Sequence, residues 1–71
     1  MMTNIKKIFL NGQEYAVDYD ITISNIVNYF NYDDSLLVLE YNNSICNKTN
    51  WSKTFIVNND KIEIVTIVGG G

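Results

Sequence analysis

Residues 59–71 read NDKIEIVTIVGGG, a run rich in β-branched residues that stops at three glycines. Isoleucine, valine and threonine favour extended backbone, so we predict a strand over 61–68. Successive side chains of a strand point to opposite faces, so Ile62 and Ile64 share one face and Val65 and Ile67 share the other. We expect Ile62 and Ile64 to face a helix, and we expect the strand to lie beside the first strand in the middle of the sheet.

The N-terminal part of the chain predicts a β-hairpin. Residues 5–10 and 14–18 read as strands. Asn11–Gly12 between them is the strongest short hairpin signal, because both residues tolerate a positive φ. The two strands are therefore expected to pair antiparallel, with Lys6 and Lys7 on opposite faces.

An amphipathic helix is predicted after the hairpin. Its apolar positions recur at the spacing of one helical face: Ile23, Ile26, Val27 and Phe30. Thr22 is the expected N-cap, since its hydroxyl can accept a hydrogen bond from a first-turn amide. We expect the helix to end near Asn31.

The second half of the chain is rich in strands. In residues 36–41, both the odd-numbered and the even-numbered positions are mostly apolar. This pattern indicates a strand that is buried on both faces, or one that offers one face to a partner. Residues 44–46 can form a short strand, and 47–55 are expected to be irregular. The order ββαββ predicts an α+β fold, a small mixed β-sheet packed on one main helix.

Composition excludes several classes of function. The 71 residues make one domain, which we place at 1–67 with a flexible glycine-rich tail at 68–71. The chain has no histidine and one cysteine, which removes the commonest general base, the commonest metal ligand and any intrachain disulfide. We therefore expect no catalytic residues and no metal site.

Charge and hydropathy limit the classes of partner and the cellular compartments that suit the sequence. The net charge is −3 and arginine is absent, which makes nucleic acid a poor partner and suits a protein with a basic docking surface. No run approaches the roughly 20 apolar residues of a membrane span, and we see no signal peptide. A single thiol fits a reducing compartment.

The glycine ending is the most informative feature for function. Glycine lacks a Cβ, so a glycine segment can thread a narrow channel, and it leaves a terminal carboxylate sterically bare. Fully extended, 68–71 reach about 13 Å, enough to place Gly71 in a partner's active site. The alternatives are a frayed terminus and a phosphate-binding loop, and the second needs a helix N-terminus that the sequence does not offer.

The sequence resembles the sulfur carrier proteins of thiamine biosynthesis, ThiS-like members of the ubiquitin-like β-grasp family. The resemblance covers nearly the whole length and rests on 9–12, the helix opened by Thr22, 39–43, Trp51 after a polar loop, 59–65 and the ending 68–71. The chain departs from the family at Asn43 and Asn59, where glycine is common. Asparagine tolerates the left-handed region, so we expect both turns to survive.

The resemblance implies a carrier that partner enzymes act on, not an enzyme. An E1-like adenylyltransferase would use Mg-ATP to adenylate the Gly71 carboxylate, with Gly69 and Gly70 giving access. A sulfur donor such as a cysteine desulfurase would then yield a thiocarboxylate for thiazole synthase. The chain would bind no cofactor itself. The expected location is the cytoplasm, or the plastid stroma if the gene is plastid-encoded.

Other surface residues leave alternatives open. Phe9, Val65 and Ile67 could form an apolar patch that docks the activating enzyme, or the 47–55 loop with Trp51 could cover it. Glu40, Asp60 and Glu63 could meet basic residues of a partner or form a solvated rim. Cys46 reads as a small buried hydrophobe, with a sulfur relay as the less favoured alternative.

Other functions also compete. The closest is the small subunit of molybdopterin synthase, another sulfur carrier that ends in two glycines. A protein-conjugating modifier and a β-grasp interaction module without chemistry are further alternatives.

Overall fold

The computed structural model describes residues 5–18, 20–33 and 36–66, and every structural statement below refers to these ranges. They form five strands, one α-helix and one 3-10 helix: β1 (Ile5–Leu10), β2 (Gln13–Asp18), α1 (Ile23–Tyr29), β3 (Leu37–Tyr41), β4 (Ser44–Ile45), the 3-10 helix (Lys48–Lys53) and β5 (Asp60–Thr66). The predicted boundary at 67/68 lies outside the described residues and stays a prediction.

The sheet has the order β2-β1-β5-β3-β4, so the last strand does lie in the middle beside the first. β5 runs parallel to β1 and antiparallel to β3, and the hairpin pairs β1 with β2 antiparallel. Asn11 and Gly12 have φ of 50° and 82°, as a tight hairpin turn requires. The α+β prediction of a mixed sheet on one helix is confirmed.

One apolar core lies between the sheet and the helical elements. Its buried members are Ile8, Leu10, Ile23, Ile26, Val27, Leu39, Trp51, Ile56, Ile62 and Ile64. Ile62 and Ile64 therefore face the helix, as the alternation predicted. Lys6 also lies on this inner side, where its Nζ donates to the Ile56 carbonyl oxygen at 2.7 Å, while Lys7 is exposed on the other face.

The helix begins as predicted and ends slightly earlier. The Thr22 hydroxyl accepts from the Asn25 N–H at 3.2 Å, and Asn25 Oδ1 accepts from the Thr22 N–H at 2.8 Å, which is a reciprocal capping box. The helix ends at Tyr29 because Phe30 and Asn31 leave helical geometry, Asn31 with a φ of 59°.

The segment 47–55 is more ordered than predicted. Residues Lys48–Lys53 form a 3-10 helix that packs against α1 and buries Trp51. The Trp51 Nε1–H donates to the Cys46 carbonyl oxygen at 2.9 Å, which ties the helix back to the end of β4. This contact links residues on either side of a loop, so periodicity along the chain gives no sign of it.

Asp60 anchors the start of β5. Its carboxylate is 4% exposed and accepts three hydrogen bonds: from Tyr41 Oη at 2.5 Å, the Val57 N–H at 2.7 Å and Asn42 Nδ2 at 3.1 Å. A buried carboxylate is tolerated when its oxygens are satisfied in this way. Both alternatives for Asp60, a contact with a partner's basic residue and a solvated rim, are therefore wrong, because its carboxylate is buried and hydrogen-bonded inside the fold.

Tyr41 shares this environment, with consequences for its ionisation. Burial first, and then the hydrogen bond to Asp60 and its negative charge, raise the pKa of Tyr41 well above its ordinary value of 10.0. The folded protein thus favours the neutral phenol. The stability that this contributes is present below about pH 10 and falls as the pH rises through the unfolded-state pKa towards the raised one.

Tyr41→Phe should lower the free energy of unfolding by about 1–2 kcal/mol at pH 7, because it leaves a buried carboxylate short of one donor. The difference from the wild type should shrink above about pH 10, because only the wild type then loses stability through ionisation of Tyr41. Urea unfolding at pH 7 and at pH 11 measures both effects. Tyr29→Phe, at a tyrosine 82% exposed, is the control and should change stability by less than about 0.5 kcal/mol. A Tyr41→Phe difference that stays constant with pH would contradict the assignment.

Candidate functional site

The candidate site is the end of β5, where the strand leads into the predicted tail. Thr66 is the last described residue of this strand. Ile67, Gly69, Gly70 and Gly71 lie outside the described residues, so their roles stay predictions. The structure instead describes the end of β5 up to Thr66, from which these residues continue in sequence. We call this end of β5 the root.

Asn11 secures this root on the β1 side. β1 stops at Leu10, level with Ile62 of β5. Asn11 then prolongs the pairing: its N–H donates to the Ile62 carbonyl oxygen at 2.9 Å, and its Oδ1 accepts from the Ile64 N–H at 2.7 Å. The residue that makes the hairpin turn thus also holds the strand that carries the tail.

The two edges of β5 differ near its end. On the β3 side, pairing continues to the last described residue, with Leu37 opposite Thr66. On the β1 side, the last bond within the described residues is the one from Ile64 to the Asn11 side chain. Over its last described residues, β5 is therefore paired on the β3 side only.

An apolar patch lies beside this exit on the outer face of the sheet, the face turned away from α1. Val65 is 60% exposed and sits opposite Val38. Ile45, on the edge strand β4 and opposite Glu40, is 68% exposed. Trp51 is buried in the core on the other side, so it does not cover Val65. We call Val38, Ile45 and Val65 the outer patch.

The structure does not bring Phe9 and Val65 together. Phe9 shares the outer face, but it sits beside Lys61, four residues before Val65 and so about 13 Å away along the strand. The Lys7 Nζ lies 5.7 Å from the centroid of the Phe9 ring. The cross-strand neighbour of Val65 is instead Val38, and Ile45 lies diagonally from Val38 on the next strand. Sequence reasoning selected neither residue. The apolar residues on both parities of 36–41 were the signal for Val38.

Two acidic side chains border the outer patch. Glu40 and Glu63 lie directly opposite each other on β3 and β5. Like charges in this position repel, which costs stability in the isolated protein. A basic group from a partner would relieve this repulsion, so the surface suits an apolar contact ringed by Lys or Arg.

Cys46 and the acidic residues offer no separate chemical site. Cys46 is partly buried against the core just after β4, and its Sγ is 4.0 Å from the Asn47 carbonyl oxygen. Among the residues described, no three acidic or cysteine side chains group in a way that could hold a metal ion. In the same ranges, no helix is long and apolar enough to cross a bilayer.

Comparison with known proteins adds to this geometry. The chain is 60% identical over 70 residues to the ycf40 protein of Trieres chinensis, which covers 99% of this chain and 96% of that protein. It is 30% identical to the ycf40 protein of Porphyra purpurea, over 90% of each chain. A segment making up 20% of a thiazole synthase from Paramagnetospirillum magneticum is 28% identical to 92% of this chain.

A solved structure and a family model point to the same relationship as the sequence relatives. The crystal structure of the thiamine biosynthesis protein ThiS from Geobacter metallireducens superposes with a TM-score of 0.78 at 18% identity, over 92% of this chain and 99% of that one. The fold is thus the β-grasp of ThiS. The model of the ThiS family matches residues 8–71, which include the root on β5 and the glycines after it. The chain belongs to the ThiS family.

Proposed function

We propose that the protein is a sulfur carrier in the synthesis of the thiazole of thiamine. The observation that carries the proposal is the match of the ThiS family through the glycine ending, which follows in sequence the central strand of the sheet. The similarity of part of a thiazole synthase to this chain supports thiazole synthase as the acceptor of the sulfur. The reaction would take place in the cytoplasm or the plastid stroma.

The proposed chemistry takes place at the Gly71 carboxylate. A carboxylate oxygen attacks the α-phosphorus of Mg-ATP on an E1-like adenylyltransferase, and pyrophosphate leaves. A sulfur nucleophile then attacks the carbonyl carbon of the acyl-adenylate, and AMP leaves with the former carboxylate oxygen. The product is a thiocarboxylate in which sulfur has replaced one oxygen. A cysteine desulfurase is the expected physiological source of the sulfur. Its persulfide would displace AMP to give an acyl disulfide, and a thiol reductant would then cleave the S–S bond and release the thiocarboxylate.

The protein acts here as a co-substrate rather than an enzyme. ATP and magnesium are bound by the partner. This chain contributes a docking surface and a tail that is long and narrow enough to enter the active site. Glycines at 69 and 70 lack the Cβ atoms that would meet the walls of a narrow channel. The Asn11 bonds and the β3 pairing hold the root steady, so the body can dock while the end enters the active site.

Intact-mass analysis tests the proposal directly. The protein is incubated with the adenylyltransferase of its source, Mg-ATP and sodium sulfide, and a gain of about 16 Da is expected as oxygen is exchanged for sulfur. Omission of ATP should abolish the gain, and removal of Gly71 should do the same. The thiocarboxylate form is then offered to thiazole synthase and to molybdopterin synthase large subunit. No mass gain, or sulfur transfer to the second enzyme only, would overturn the proposal.

Gly70→Ala should leave the fold intact and lower adenylation on the order of a hundredfold, because an added Cβ displaces the carboxylate from the reacting geometry. ATP–pyrophosphate exchange measures the rate, and thermal unfolding checks the fold. Val68→Ala, which adds no bulk to the tail, serves as the control and should stay within about threefold of the wild type. Equal rates for Gly70→Ala and the wild type would refute the steric role of the glycines.

Val65→Lys should raise the KM of the adenylyltransferase for this protein about tenfold with little change in kcat. The reason is that the substitution places a charge in the outer patch without altering the tail. Val57→Lys is a matched control: the same residue type, 55% exposed against 60% for Val65, but located before β5 begins. It should change the KM less than about twofold. If both variants behave alike, the outer patch is not the docking surface.

A further inference from the structure

A groove lies on the opposite side of the molecule from the outer patch, between the edge strand β2 and α1. Its volume is about 620 Å³, and it is partly open to solvent. Its apolar lining comes from both elements and from the loop between them: Tyr15, Val17, Ile21, Ile26, Tyr29 and Phe30. Tyr29 is 82% exposed there, an unusual position for a large ring that no proposed step employs.

The rings at one end of the groove form a fixed wall. Phe30 stands edge-to-face between Tyr15, at a centroid distance of 5.2 Å, and Tyr29, at 5.1 Å. Such contacts fix ring orientation, and little side-chain freedom is left to lose when a ligand packs against them. The groove is therefore preorganised to receive an apolar side chain.

The edge of β2 offers a row of backbone hydrogen-bonding groups beside this groove. Lys7 of β1 uses its carbonyl to accept from the Asn59 N–H, on the side away from β2. By alternation, the even-numbered residues of β1 face β2, so their partners Gln13, Tyr15 and Val17 bond inward. Glu14, Ala16 and Asp18 therefore direct their N–H and C=O groups away from β1, as an incoming strand requires.

The side chains along this edge carry a charge pattern. Glu14 and Asp18 are exposed on the outer face, with the small Ala16 between them. Lys7, across from Ala16, is turned onto the Phe9 ring rather than towards either carboxylate. A second copy of this chain paired about Ala16 would put Glu14 opposite Asp18, which like-charge repulsion disfavours. A basic strand would instead be attracted.

We propose that β2 and the groove bind an extended peptide segment of a partner protein with the pattern basic–apolar–any–apolar–basic. The segment adds to the sheet as a strand antiparallel to β2. Its two apolar side chains lie opposite Val17 and Tyr15 and fill the groove. Its two basic side chains lie opposite Asp18 and Glu14 on the other face. This interaction goes beyond sulfur transfer, since the groove and the outer patch are on opposite faces of the sheet.

The probe is the capped peptide Ser-Lys-Val-Thr-Leu-Lys-Ser, titrated to about 1 mM into isotopically labelled protein and followed by NMR. Amide shifts are expected at Glu14, Ala16 and Asp18 and along the groove. A peptide of the same composition with its two lysines adjacent should bind at least about tenfold more weakly, because alternation is lost.

N-methylated peptides test the strand pairing without altering the protein. Methylation of the threonine nitrogen, which faces Ala16, should weaken binding at least about tenfold. Methylation of the valine nitrogen, which faces solvent, should change it less than about threefold. Equal effects of the two, shifts confined to Val38 and Val65, or no shifts at all would overturn the proposal.

Charge variants test the acidic edge. The double variant Glu14→Lys with Asp18→Lys should bind the peptide at least about tenfold more weakly, while Glu63→Lys, at an exposed acid on β5, should not. Adenylation of the double variant should match the wild type, so a failure here is distinct from a failure of the carrier function. Self-association of the wild type, seen by sedimentation and accompanied by concentration-dependent amide shifts at Glu14, Ala16 and Asp18 without peptide, would assign the edge to a second copy instead and overturn the proposal.

Discussion

The whole fold is arranged around β5, which hydrogen-bonds to a strand on each side although it comes last in the chain. β1 lies parallel to it and β3 antiparallel, so the sheet is incomplete until the final segment inserts. Its inner side chains, Ile62 and Ile64, fill the middle of the core. Asp60 at its start and Asn11 near its end supply the polar contacts that set its register. The glycine ending thus follows in sequence a strand that is paired on both sides within the described residues.

The local parts of this arrangement could be predicted from sequence. Alternation in 61–66, the Asn11–Gly12 turn and the Thr22 cap each depend on neighbours in the chain, and each is found where the pattern placed it. The predictions that the structure corrects involve residues that are distant in sequence. Burial of Asp60 depends on Tyr41, and the separation of Phe9 from Val65 depends on where β1 stops alongside β5. Alternation fixes the face of a side chain, but only the register between strands fixes its neighbours.

Asparagine has a structural role here that its abundance alone does not reveal. In the described ranges, six residues other than glycine have a positive φ, and five of them are asparagines: Asn11, Asn31, Asn42, Asn43 and Asn59. Asparagine adopts this region at lower cost than other residues with a Cβ, because its short amide can hydrogen-bond locally. Asn43 and Asn59 each have a φ of 73°, so both turns expected from the sequence are present. Two of these residues also hold β5 through their amides, Asn11 at Ile64 and Asn42 at Lys61 and Asp60.

The central position of β5 also determines how the protein responds to force. A force applied at Thr66 along the axis of β5 loads the ladders to β1 and β3 in shear, so their hydrogen bonds share the load. An edge strand such as β4, with two residue pairs, would instead open one bond at a time. A pull along β5 is therefore resisted by two ladders at once, and the fold should withstand it better than a pull on β4.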